Sequence, residues 1–139
     1  MMESEIRAIR RIINNEVVFR HFGYWPDFLD SEITKVTFET HPTGRYSVTF
    51  VIAAFEITKE KDESGFYNHR HTKHCDVELQ LIGIKELKFD SFSSQNVILD
   101  LEFGECRGNI ECVVNASTGL EFAIVAEEAF VLSLTPTKR

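Results

Sequence analysis

Residues 97–114, VILDLEFGECRGNIECVV, decide the fold class. Val97, Leu99, Leu101 and Phe103 alternate with Asp100 and Glu102, and Ile110, Cys112 and Val114 resume the pattern after a break. A strand points successive side chains to opposite faces, so apolar and charged residues in alternation mark a half-buried strand. Gly104 to Gly108, between the two runs, reads as a hairpin loop, and a link this short makes the two strands antiparallel. The phase predicts Val97, Leu99, Leu101 and Phe103 on one buried face, with Leu99 inside and Asp100 outside.

The same period extends on both sides of this hairpin. Downstream, Asn115 to Gly119 reads as a turn, followed by Leu120, Phe122 and Ile124, and then Phe130, Leu132 and Leu134 ahead of Pro136. Upstream, Val77, Leu79 and Leu81 alternate with Glu78 and Gln80, Leu87 and Phe89 keep the phase, and Gly83 suggests a bulge or bend. Val36 and Phe38 begin the series, and Thr43-Gly44 marks a turn after them. Tyr46 to Ile57 is apolar on both faces around Phe50 to Phe55, the pattern of a strand covered on two sides. Residues 58–75 are polar and read as an exposed loop. The first 22 residues carry a helical pattern instead. Ile6, Ile9, Ile12 and Ile13 fall near helical spacing, Asn14 or Asn15 offers a cap, and Gly23 is placed to end a second short helix. The predicted fold is α+β, a short N-terminal helix packed on a curled, mainly antiparallel sheet of six or seven strands. No repeat, linker or boundary interrupts it, so residues 1–139 read as a single domain.

Composition narrows the function classes. The formal net charge of −7 disfavours nucleic acid and anionic membranes, both of which call for a basic surface, and suits a basic protein partner. The start, Met-Met-Glu-Ser-Glu-Ile-Arg, lacks the basic and apolar regions of a secretion signal, and no apolar run approaches the ~20 residues needed to cross a bilayer. The expected location is the cytoplasm. Cys75, Cys106 and Cys112 are odd in number and without CxxC spacing, which predicts reduced structural thiols.

Three constellations deserve a chemical reading. His69, His71, His74 and Cys75 bring four potential zinc ligands into one short stretch. Arg70 and Lys73 among them oppose a cation, and ligands drawn from one segment close a tetrahedron poorly. The reading is a solvated loop, with zinc as the alternative. Cys75 beside His74 is the one adjacent Cys/His pair, but neighbours on an extended chain face opposite ways and share a proton poorly. No GxSxG, HExxH, GxxxxGK[ST] or GxGxxG occurs, so the reading is not an enzyme and needs no cofactor. The third is residues 22–33, FGYWPDFLDSEI. There Gly23 ends a helix, Pro26 stiffens a turn, and Trp25 and Phe28 anchor it in the core. Asp27, Asp30 and Glu32 then form a candidate acidic edge for a partner, although Asp30 is also suited to capping the turn.

This last segment resembles the immunity protein 50 family of bacterial polymorphic toxin systems, whose members carry G-x-W-P-S-F-H-D-[AS]-E-[IV] soon after the N-terminus. Gly23, Trp25, Pro26, Phe28, Asp30, Ser31, Glu32 and Ile33 match it. Thr118 to Phe122 and Ala126 to Ala129 are similar in character, with less specificity. Asp27 stands where the family has Ser, and Leu29 where it has His, so a role of that histidine in relatives does not transfer. The resemblance implies an α+β domain that binds a cognate toxin and blocks it without catalysis. Such toxins are often nucleases with basic active sites, which an acidic protein suits. The alternative expectation is a small-molecule-binding module with a cavity between sheet and helix.

Overall fold

A computed structural model describes residues 3–138. Met1 and Met2, the first residues of the stretch inspected for a secretion signal, lie outside the described residues. Two short helices, α1 (Glu3–Arg11) and α2 (Glu16–Phe22), precede six strands. These are β1 (Glu32–Thr40), β2 (Tyr46–Lys61), β3 (Tyr67–Asp90), β4 (Val97–Cys106), β5 (Asn109–Thr118) and β6 (Glu121–Pro136). They close into a barrel in the order β1-β2-β3-β6-β5-β4, each neighbour antiparallel.

Closure turns the alternation of each strand into inside and outside. Val48, Phe50, Ile52 and Ala54 of β2 are buried, as are Val77, Leu79 and Leu81 of β3, Leu101 and Phe103 of β4, Cys112 and Val114 of β5, and Phe122 and Ile124 of β6. A barrel of so few strands is filled by its own side chains. Phe50 and Phe122 meet edge to face across it at 5.1 Å. Ala8, Ile9 and Ile12, with Val18 and Phe22 of α2, belong to the same buried cluster as these strand residues. Arg7 and Arg11 fasten α1 to Glu105 of β4, at 2.8 and 3.2 Å.

The structure corrects the sequence reading at six places. The hairpin loop is shorter than Gly104 to Gly108, because β4 runs to Cys106 and β5 begins at Asn109, leaving the reversal to residues 107–108. Residues 58–75 are not a loop. β2 and β3 stay paired out to Lys61 and Tyr67, so this stretch is a two-stranded ribbon whose turn is confined to residues 62–66. Its polarity reflects a ribbon in water beyond the barrel, where neither face needs apolar residues. Asp62 makes the turn locally, its Oδ1 accepting from the N–H groups of Ser64 and Phe66 at 2.9 Å each.

Leu99 is not in the core but half exposed. Ile98 pairs with Ala116 and Asp100 with Asn115, leaving Leu99 as the extra residue of a bulge. The extra residue reverses the phase, so Ile98, Leu101 and Phe103 are buried while Leu99 points out. Val97 is only half-buried. Residues 115–118 are strand and not turn, because β5 continues to Thr118 and the reversal is made by Gly119 and Leu120. β2 is not covered on both sides: Val51, Ala53 and Phe55, on its outer face, are half-buried. Finally, Asn15 makes no side-chain cap for α2. Its Nδ2 donates back to the Ile9 carbonyl at 2.9 Å and so helps to close α1.

Candidate functional site

The segment from Gly23 to Ile33 leads from α2 to β1, and its geometry follows from its residues. Gly23 takes φ 89°, and its N–H donates to the Phe19 carbonyl at 2.7 Å, ending the helix as a left-handed cap. Pro26 then keeps Trp25 out of helical geometry. Trp25 is buried among Phe19, Phe28 and Phe103, with ring centroids 6.0, 6.3 and 5.9 Å away. Phe28 is almost wholly buried, although its φ of 61° is uncommon for a side chain of that bulk. Asp30 adopts φ 64°. The aromatic burial and the backbone bonds hold these two residues where local preference alone would not.

Those bonds run to β4. The N–H of Asp30 donates to the Ile98 carbonyl at 2.8 Å, that of Ile98 to Ser31 at 2.9 Å, and that of Leu101 to Asp27 at 3.2 Å. β1 and β4 themselves share only the pair Glu32 and Val97, so this segment stitches the seam of the barrel. Ser31 is wholly buried there, its hydroxyl without a hydrogen-bond partner among the described residues.

The predicted acids sit on the outside of this seam. Asp27 and Asp30 are exposed and Glu32 is half-buried. Asp27 Oδ1 accepts from the Leu29 N–H at 3.0 Å, which fixes the turn and leaves the carboxylate facing water. Gly23, Trp25, Pro26 and Phe28 take the structural places expected of them, with the latter three buried.

Three residues that the sequence did not connect with the motif belong to this surface. Glu56, at the base of the ribbon, accepts from the Tyr24 hydroxyl at 3.0 Å and from Lys73 Nζ at 3.1 Å. Lys73 Nζ also donates to the Phe22 carbonyl at 3.0 Å. The Lys73 hydrogen bond holds the Glu56 carboxyl below its ordinary value; burial opposes the shift, and the Tyr24 hydroxyl adds to it. Burial, with the neighbouring Glu56 charge, raises the Tyr24 phenol. Asp100, accepting from Asn115 Nδ2 at 2.8 Å, is the third. No local signal marks these three, since they meet the motif through bulges and pairings far apart in the chain. Two surface hollows, of about 180 and 540 Å³, share Tyr24, Pro26 and Asp27 as walls.

The histidines border this surface at the ribbon base, where Phe55, a wall of the smaller hollow, meets His71 and His74. His69 and His71 are exposed on β3, His71 stacked on Phe55 at 4.3 Å, and His74 is half-buried. Among the described residues, no group of three or more His, Cys, Asp or Glu side chains is placed to hold a metal ion. Among the described residues the three cysteines form no disulfide, and burial pushes the Cys112 thiol far above its ordinary value.

The segment 23–33 and the strands it closes fall inside one larger match. The model of the immunity protein 50 family matches residues 14–137, nearly the whole chain. The chain belongs to the immunity protein 50 family. Membership in an immunity family implies, in general terms, a toxin as partner. No curated protein and no solved structure matches the chain. Among the described residues no helix is long and apolar enough to cross a membrane.

Proposed function

We propose that this member of the immunity protein 50 family neutralises a cognate bacterial toxin by binding it, without catalysis, through the edge that carries Asp27, Asp30 and Glu32. The observation behind this reading is the division of the motif. Trp25, Pro26 and Phe28 are buried, while Asp27 and Asp30 between and beside them are exposed. The acids are therefore displayed on an anchored turn that gives up little freedom on binding, a condition that favours affinity. A net charge of −7 favours a basic toxin and speeds encounter with it. If that toxin is a nuclease, the carboxylates stand in for the phosphates its active site expects. The setting is a single folded unit acting in the cytoplasm of the toxin's producer, with no cofactor, nucleic acid or membrane involved.

The test is Asp27→Lys with Glu32→Lys against each candidate toxin domain found near this chain's gene. Association should slow by about tenfold or more at low salt, the difference should shrink at high salt, and thermal unfolding should stay near that of the parent. Unchanged association at both salt concentrations would place the interface elsewhere.

A further inference from the structure

Two leucines beside the acidic edge are spent on water. Leu29 is 40% and Leu99 50% exposed. Leu99 is out because it is the extra residue of the β4 bulge. Leu29 is out because its neighbour Phe28 occupies the core. The Asp30 to Ile98 and Leu101 to Asp27 backbone bonds enclose both residues, so the two leucines lie between the same two ties on adjoining segments. Acids lie close along each segment: Asp27 two residues before Leu29 and Asp30 directly after it, and Asp100 directly after Leu99. Asp100 is outward because a bulge sets two successive residues on one side, and its bond to Asn115 fixes it there.

We infer that the Leu29 and Leu99 pair is the apolar centre of the toxin-binding surface, with Asp27, Asp30 and Asp100 as its rim, and that it takes a protein surface presenting an apolar side chain among basic groups. This rests on the toxin-binding reading and assigns the division of labour within it. A protein interface gathers its energy at a desolvated apolar centre, and the surrounding charges set approach and orientation. The backbone ties hold the leucines in place before any partner arrives. Charge selects the occupant. A second copy docking on the same patch would set aspartates against aspartates, and an anionic lipid surface meets the same repulsion. A basic protein surface is favoured by the rim and buries the leucines.

The two roles separate in kinetics, because most affinity in an interface centre resides in dissociation and rim charges act on association. The experiment measures binding of each candidate toxin domain found near this chain's gene to the full chain and to Leu29→Ser, Leu99→Ser and Leu99→Met. Both serine variants should dissociate about tenfold faster or more, with association rate and salt dependence unchanged, while Leu99→Met stays close to the parent. Their thermal unfolding should match the parent's, since neither leucine is buried. If both serine variants dissociate as slowly as the parent while acid reversal still slows association, the apolar centre is overturned and the acidic edge stands. If the parent chain binds no toxin, the underlying reading falls, and this inference falls with it.

Discussion

Trp25 and Asp27 are two residues apart and obey opposite physics. Trp25 buries nearly all of its ring against three phenylalanines, and Trp25→Ala should cost about 3–5 kcal/mol of stability by removing that packing and leaving a cavity. Asp27 is exposed and its carboxylate accepts one hydrogen bond from the turn, so Asp27→Ala should cost only about 0.5–1.5 kcal/mol. Denaturant unfolding of the two variants side by side checks this, and comparable losses would mean that the carboxylate is part of the folded scaffold.

Among the elements, the turn at Gly119 is held more tightly than the other hairpin turns. Gly119 has φ 84°, and a Cβ there would run into the backbone of Gln95 and the side chain of Asn96. Gly108 has nearly the same φ, 83°, with open space around it. Gly108→Ala should therefore cost about 1–2 kcal/mol, the left-handed penalty alone, and Gly119→Ala distinctly more. Equal losses in equilibrium unfolding would show that the Gln95 and Asn96 segment gives way easily. Asn96 is buried here, its Oδ1 accepting from Ser93 at 2.9 Å and Leu120 at 3.1 Å. The ribbon base offers a pH-dependent counterpart. The folded-state Glu56 carboxyl lies below the ordinary 4.5, so its bonds to Lys73 and Tyr24 contribute stability at neutral pH and lose it as pH falls through the folded value. The gap in melting temperature between the parent and Glu56→Gln should be open at pH 7 and close on acidification. A gap independent of pH would show that the clamp does not depend on charge.

At the scale of the whole molecule, the barrel is closed unevenly. β2 and β3 are paired along most of their length, whereas β1 and β4 share a single pair plus the stitches from residues 27–33. Hydrogen exchange should therefore find the amides of Ile33, Ile98 and Leu101 opening before those at the centre of β2 and β3. Equal protection would mean that the seam opens only with the whole fold. Much of this architecture was legible in the sequence. Period two located β1, the later part of β3, β4, β5 and β6, an apolar run located the first part of β2, and the family motif located the turn at Trp25. Hidden from it were the features decided by pairing across the chain. Polar residues 58–75 gave no sign that β2 and β3 would stay zipped in water. Nothing local in Val97 to Phe103 announces the extra residue that turns Leu99 outward. Glu56 and Lys73 join the motif only because the barrel brings the ribbon base beside it.

The uneven seam also bears on how the molecule folds. Its hairpins, β1 with β2, β2 with β3, β4 with β5 and β5 with β6, join segments close in sequence and can zip early. Pairing β1 with β4 joins segments far apart, a search that topology makes slow. Trp25, the only tryptophan, packs against Phe103 at that join. The chain thus contains its own optical clock: indole fluorescence followed in a stopped-flow mixer times the closing of the ring, while far-ultraviolet dichroism times the zipping of its hairpins.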